Sequence, residues 1–364
     1  MTGILMLRSQ NIVSDSRVLR YENWFQKHDI TYQIVGWDRE QSGIERENTI
    51  YCRIKAGFQQ KSKAIIGRIK WNAWLMKYLY GYRKSYRIIH ACDFDTVLPA
   101  LVMQLFGKKV IFDIFDWFSD EVTTGNWYIN RTINCLERWA VRKADLVILC
   151  EEGRMRQIQS RPREYMVIPN VPTIPVADAE ENKAFAKTIG YVGGIVADRG
   201  LAELVHVVAN LSDWTLHIAG FGDEVLVKEI EKYSQKYSNI HFYGRVSYDK
   251  ALEIMRAVDI IYAMYYKHNR NHIFAAPNKF YEAIFLQKPI ITTEGTLVGD
   301  KVREVNSGYV IGEGEENLKK LMGLITTDEI EHVKDAIKDL AKINSTLFED
   351  VMQKYLGHIH VFSD

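Results

Sequence analysis

The sequence predicts an α/β protein built from two doubly wound, parallel-sheet domains in tandem. Three observations carry this. Short apolar runs alternate with amphipathic stretches along most of the chain, the pattern of parallel strands covered by crossover helices. The alternation breaks over Pro169 to Lys183, which holds three of the seven prolines and a run of acidic and small residues. A chain of 364 residues, 47% hydrophobic and 26% charged, also suits two cores of ordinary size.

Taken in order, Ile4 to Leu7 reads as a strand, Arg17 to Gln26 as a helix and Tyr32 to Gly36 as a second strand. Ile88 and Ile89 end a strand before His90-Ala91-Cys92-Asp93, and Leu98 to Phe106 reads as a buried helix. Val110 to Phe112 is a strand entering Asp113-Ile114-Phe115-Asp116. The helix Ile133 to Arg142 then leads to strands at Leu146 to Leu149 and Met166 to Ile168. The second series has strands at Thr188 to Val192, Trp214 to Ile218, Ile240 to Tyr243, Ile260 to Met264 and Pro289 to Thr292. Helices are expected at Leu201 to Leu211, Glu224 to Tyr237 and Lys279 to Leu286, and the tail from Asn317 is largely helical. The expected domains are therefore 1–168, a linker at 169–183, a second domain at 184–340 and a final helical segment at 341–364. Two such domains facing a central cleft would bind ligands outside the strand C-termini.

Composition excludes several classes. Cys52, Cys92, Cys135 and Cys150 are scattered, with no C-x-x-C and no Cys/His cluster, which argues against a disulfide scaffold or structural zinc and for a reducing cytosol. The N-terminus lacks the pattern of a signal peptide, and the longest apolar stretch, Val97 to Phe106, is broken by Pro99 and Gln104 and is too short to span a membrane.

The net charge of +1 hides an asymmetry: residues 1–168 hold 26 Lys+Arg against 18 Asp+Glu, so that half is basic and the remainder acidic. Between Glu47 and Asp93 there is no acidic residue. On a helix over residues 61–80, Lys63, Lys70 and Lys77 share a face, and Ile65, Ile69, Ala73, Met76 and Tyr80 form a seam suited to a core. Trp71, Trp74 and Tyr78 then fall on an outward face, where tryptophans beside lysines suit an anionic membrane surface. The plainer reading is a solvated basic helix whose aromatics pack under a loop. No nucleic-acid module accompanies the charge.

Neither Gly193 to Gly200 nor Gly220-Phe221-Gly222 fits a dinucleotide fingerprint, which argues against a nicotinamide enzyme. Asp93-Phe94-Asp95 is best explained as helix-entry capping. Asp113 and Asp116 end a strand, where carboxylates either face the cleft or cap the next segment. In the block from Asn271 to Glu282, Pro277 and Asn278 open a helix whose first-turn N–H groups suit an anion. Lys279 adds positive charge there, and Glu282, one turn on, can accept two hydroxyl hydrogen bonds. Plain N-terminal capping is the alternative.

These segments, with Ser14-Asp15-Ser16-Arg17-Val18-Leu19-Arg20, Ile168-Pro169-Asn170, Tyr191 to Gly194, Arg199-Gly200, Ile218 to Gly222, and Gly244-Arg245-Val246, keep the order and spacing of a known family. The chain resembles the family 4 glycosyltransferases, enzymes of the GT-B fold with two Rossmann-like domains, over essentially its whole length. The resemblance implies retaining transfer of a sugar from a nucleotide-diphosphate donor bound by the second domain to an acceptor bound by the first. No metal or other cofactor is implied, and the last helix is expected to return to the first domain. Glu282 would bind the ribose, Arg199 and Lys279 the diphosphate, and the backbone of Arg245 and Val246 would flank the base. Gly193, Gly194 and Asn278 complete the implied donor site. Asp116 would act at the transferred sugar, and Arg17 would lie on the acceptor side. The sequence departs from the family pattern at Phe274, eight before Glu282, where a glutamate is usual, at Phe115 for a histidine, and at Gly194 for an arginine. Asn271, His272 and the backbone of Phe274, Ala275 and Ala276 are then the expected sugar contacts. The expected partners are a nucleotide sugar, a lipid-linked glycan acceptor and an anionic membrane, with no nucleic acid, for an enzyme peripheral on the cytoplasmic membrane face in polysaccharide or glycoconjugate synthesis. The alternatives are a non-catalytic nucleotide-sugar-binding protein and a sugar-nucleotide epimerase.

Overall fold

The computed structural model describes residues 3–55, 61–121, 125–177 and 185–363, without the side chains of Ser14, residues 61–65 and Ser363. The chain forms two compact units: Met1–Pro169 with Glu349–Asp364, and Asn170–Phe348.

The first unit runs β1 (Gly3–Arg8), α1 (Ser16–Lys27), β2 (Tyr32–Trp37), β3 (Thr49–Cys52), α2 (Lys61–Gly81), β4 (Tyr86–Cys92) and α3 (Phe94–Val102). It continues with β5 (Lys109–Ile114), α4 (Phe118–Glu121), α5 (Trp127–Lys143), β6 (Leu146–Leu149), α6 (Met155–Ile158) and β7 (Tyr165–Val167). The sheet is parallel, in the order β3-β2-β1-β4-β5-β6-β7. Its order reverses between β1 and β4, the switch point at which open α/β sheets take ligands.

The second unit runs β8 (Thr188–Ile195), α7 (Leu201–Ala209), β9 (Thr215–Gly222), α8 (Glu224–Lys236), β10 (Ile240–Phe242), α9 (Tyr248–Ala257), β11 (Ile260–Ala263) and α10 (Arg270–Ile273). Then come α11 (Asn278–Phe285), β12 (Ile290–Thr293), α12 (Leu297–Glu304), β13 (Gly308–Ile311), α13 (Glu315–Leu324) and α14 (Thr327–Asn344). Its parallel order, β10-β9-β8-β11-β12-β13, places the switch point between β8 and β11. Apolar clusters cover both faces, one around Ile189, Leu204 and Trp214, the other around Phe280, Ile284 and Val302. The last helix, α15 (Leu347–Ser363), belongs to the first unit from Glu349 onward, whereas α14 stays with the second.

Three sequence expectations change. The segment from Asn170 belongs to the second unit rather than to a free linker: Val171 is buried in its core, and Ala177 N–H donates to Phe285 O at 2.7 Å. The part of the expected linker at 178–183 lies outside the described residues. The short strands β3 and β13 and the helix α12 were not foreseen.

The largest correction concerns α2, whose buried face is the reverse of the expected one. Trp71 is fully buried and stacks on Trp37, centroids 5.3 Å apart and planes 2° from parallel, while its Nε1 donates to Asp95 O at 3.2 Å. Tyr78 is buried with its hydroxyl on Gln33 Oε1 at 2.8 Å, and Trp74 packs half-buried between the two rings. Ile69, Ala73 and Tyr80 face solvent instead, while Met76 is half-buried against the core. The Lys63 and Ile65 side chains lie outside the described residues. The physical reason is that α2 carries apolar residues all round, so periodicity does not choose a face. The indoles bury the most area and find partners for their polar atoms inside.

Candidate functional site

In the second unit the strand C-termini next to the switch point gather the expected donor residues. Gly193 and Gly220 are paired across β8 and β9, both with positive φ. A Cβ on Gly220 would lie 1.9 Å from Gly193 O, and the positive φ at both positions favours glycine, with Lys279 Nζ 2.8 Å from the place a Cβ on Gly193 would take. Lys279 sits in the first turn of α11, which begins after Pro277 with no side-chain cap. Its Nζ lies 5.3 Å from the Tyr191 ring centroid. Burial, with the Arg199 guanidinium nearby and Glu282 pulling the other way, lowers Lys279 to about 8.

Arg199 ends the short turn before α7 and lies over the Tyr265 ring at 4.2 Å. Its Nη1 is buried without a hydrogen-bond partner among the described residues. Glu282 is buried, and Tyr248 donates its hydroxyl to Glu282 Oε1 at 3.2 Å. His272 Nδ1 lies 3.0 Å from Tyr266 O, and its Nε2 lies 3.7 Å from Asp198 Oδ2. A carbonyl can only accept, so Nδ1 carries the proton and Nε2 the lone pair. Burial and the Arg199 charge hold the imidazole pKa below its usual value.

The other expected residues fall around this group. Asn271 is buried in α10, Phe274 ends that helix, Ala275 N–H donates to His272 O, and Ala276 O accepts from Asn170 Nδ2 at 2.8 Å. Asn278 opens α11. Gly194 is open, with nothing within 4 Å of the place a Cβ would take. Arg245 stacks on the Phe221 ring at 4.3 Å, beside half-buried Val246. The braces Tyr191, Tyr248 and Tyr265 were not foreseen. They come from separate strand ends and helices and leave no spacing signal.

In the first unit the strand-end motif divides. Asp113 is fully buried and accepts from Arg17 Nη2 at 2.9 Å, Tyr21 at 2.8 Å and His90 Nε2 at 3.2 Å. Burial opposes its charge, but Arg17 and His90 hold it down to about 2. Arg17 therefore belongs to the interior rather than to an exposed acceptor side, and its Nη1 also reaches Ile168 O at 2.8 Å. His90, Cys92 and Asp113 are the metal-capable trio among the described residues, but the imidazole and carboxylate are engaged in this network, with His90 Nδ1 on Tyr355.

Asp116 is exposed and paired with Arg154 at 3.0 Å. Phe115 lies between two guanidiniums, 4.2 Å from Arg8 and 5.2 Å from Arg17. Asp93 holds the N-cap position of α3 at φ 66°, but its side chain makes no cap hydrogen bond: its carboxylate takes Arg8 together with the N–H groups of Phe115 and Asp116. Burial and the Asp116 charge outweigh Arg8 and raise Asp93 to about 6. Outside this motif the unit exposes apolar side chains along α2 and after α3, including Ile69, Tyr80 and Leu105, next to exposed Lys70 and Lys77. No helix of the described residues is long and apolar enough to cross a membrane.

Residues 186–341 match the family described as Glycosyl transferases group 1. No curated protein matches the chain. Among solved structures it is similar to a sucrose-phosphate synthase from Thermosynechococcus elongatus, with TM-score 0.76 and 16% identity over 99% of each chain. It is also similar to Anabaena Alr3699/HepE in complex with UDP-glucose, with TM-score 0.69 and 14% identity over 97% of this chain and 99% of that one. WaaG, a glycosyltransferase involved in lipopolysaccharide biosynthesis, gives TM-score 0.68 and 14% identity over 97% and 98%. At these identities the likeness shows the fold, which is GT-B. The family match falls within the second unit.

Proposed function

We propose that the protein is a retaining, family 4 glycosyltransferase that takes a sugar from a nucleotide-diphosphate donor and places it on a lipid-linked glycan at the cytoplasmic membrane face. One observation carries this reading: Lys279, whose pKa burial and the Arg199 charge depress, lies with Arg199 beside buried Glu282 at the strand ends of the domain that matches the glycosyltransferase family. A diphosphate would pair with both buried cations, and Glu282 is assigned to accept hydroxyls of the ribose. The HepE structure, which holds UDP-glucose on a similar fold, supports a nucleotide sugar as ligand.

In the proposed reaction the bond from the anomeric carbon to the diphosphate oxygen breaks as the acceptor oxygen attacks the same face. The departing phosphate oxygen takes the acceptor proton. The enzyme's share is then to stabilise the diphosphate charge, through Lys279, Arg199 and the start of α11. His272, neutral near pH 7, presents the Nε2 lone pair to a sugar hydroxyl. Asp116 is assigned to act at the transferred sugar, as the family resemblance implies. The membrane contact is assigned to the outward side of α2, with Lys70, Lys77, Ile69 and Tyr80, in place of the buried tryptophans. Phe115, where the resembled family carries a histidine, favours one rival, a donor-binding protein without turnover.

The test is thermal shift against UDP-, GDP-, ADP-, dTDP- and CMP-sugars, with wild type and Glu282→Ala, followed by turnover with the stabilising donor. One base class should raise Tm, Glu282→Ala should remove the effect, and nucleoside diphosphate should be released. Stabilisation without release supports the rival, and no shift with any donor contradicts both.

A further inference from the structure

At the C-terminal ends of β1 and β2, three guanidiniums meet the loop that opens α3. Arg8, at the end of β1, is committed: Nε lies on Asp15 at 2.5 Å and Nη1 on Asp93. Arg39, just after β2, lies over the Trp37 ring at 4.3 Å, and Arg68, from α2, lies over Phe118 at 5.2 Å. Both approach the single carboxylate of Asp95, in the first turn of α3. Arg68 Nε lies 3.1 and 3.2 Å from its two oxygens, and Arg39 Nη2 lies 3.6 Å from Oδ2. Ser9 Oγ donates to Asp95 Oδ2 as well, at 3.2 Å. Neither Nη group of Arg68 has a hydrogen-bond partner among the described residues.

Two cations thus converge on the Asp95 carboxylate at the switch-point end of the sheet. Burial, with Arg68 and Arg8 nearby and despite Asp95, lowers Arg39 to about 10. Aromatic faces hold both guanidiniums, so their donor edges are positioned before any ligand arrives. Glu121 lies near the same group: burial and the Asp116 and Asp93 charges, opposed by Arg68, raise it to about 7.

We infer that Arg39 and Arg68 form a subsite for a phosphate group of the acceptor. Two guanidiniums on separate elements, each a planar fork of donors, suit the tetrahedral oxygens of phosphate better than one flat carboxylate. The subsite deepens the proposed function, since it rests on the first unit taking the acceptor. The phosphate can belong to a lipid diphosphate or to a soluble phosphorylated sugar, and the two share this chemistry.

The test is calorimetric titration of the full-length protein with inorganic pyrophosphate. Wild type should show two classes of site. Arg39→Gln/Arg68→Gln should weaken one class at least tenfold, and Arg199→Gln/Lys279→Gln the other. Retention of the second class by the first variant shows that it is folded, and Arg68→Gln alone, at a part-exposed side chain, is the milder form. A single class in wild type that Arg39→Gln/Arg68→Gln leaves unchanged, or two classes unchanged in that variant, overturns the subsite. Two classes unchanged in Arg199→Gln/Lys279→Gln overturn the donor reading instead. KM values for a polyprenyl diphosphate sugar in micelles and for a hexose 6-phosphate then separate the sources: the acceptor that uses the subsite loses at least tenfold in the Arg39/Arg68 variant. No change in KM for either acceptor contradicts the subsite.

Discussion

Because the Lys279 ammonium is buried beside Arg199, it titrates near 8, and a diphosphate that prefers the charged form must lose affinity as the lysine deprotonates. The donor Kd should be level below pH 8 and rise about tenfold per pH unit well above it. In Lys279→Ala the Kd should be weaker by about 2 kcal/mol and nearly flat with pH, as titration from pH 7 to 9.5 will show. Asp113 acts on stability rather than binding. Its folded pKa of about 2 lies below the unfolded value of about 3.9. Its contribution is therefore present above pH 4 and lost as pH falls through 2. Asp113→Asn leaves the buried Arg17 without its counter-charge and should cost about 3–5 kcal/mol in chemical denaturation near pH 7. At this scale the sequence was legible where chemistry is local, as in Pro277-Asn278-Lys279 followed by Glu282. It was not legible for Asp93 or the bracing tyrosines, whose roles depend on a left-handed backbone turn and on partners far along the chain.

Helix α2 shows why elements are easier to locate than to orient. Its position follows from composition, but its apolar residues surround the axis, and only the stack of Trp71 on Trp37 decides which side is inside. Trp71→Ala should destabilise the protein by about 3–5 kcal/mol. Ile69→Ala, on the exposed side, should stay within about 0.5 kcal/mol in the same denaturation experiment. The lysines remain outside, so the membrane assignment passes to the opposite face. Basic residues near an anionic surface contribute about 1 kcal/mol each. Lys70→Glu/Lys77→Glu should therefore weaken binding to anionic vesicles at least tenfold, and unchanged sedimentation with vesicles would exclude this face.

For the molecule as a whole, two parallel, doubly wound sheets were implicit in the alternation of strands and helices, whereas the edge strands β3 and β13 were not. The seat of the last helix was expected from the family resemblance alone, not from the alternation. Tyr355 reaches His90 Nδ1 at 2.9 Å, and His90 passes the contact to Asp113 and Arg17, so residues more than 250 positions apart share one buried network. The charge asymmetry also acquires a location. Arg8, Arg39 and Arg68 gather at the sheet end of the first unit, while Lys279 and Arg199 serve the second. The central claim is sugar transfer with retention, and 1H NMR of the product formed from an α-linked sugar nucleotide of the matching base tests it most directly. The account predicts an α-anomeric product with one nucleoside diphosphate released per sugar transferred. A β-anomeric product, or a donor that binds and is never cleaved with acceptor present, would contradict it.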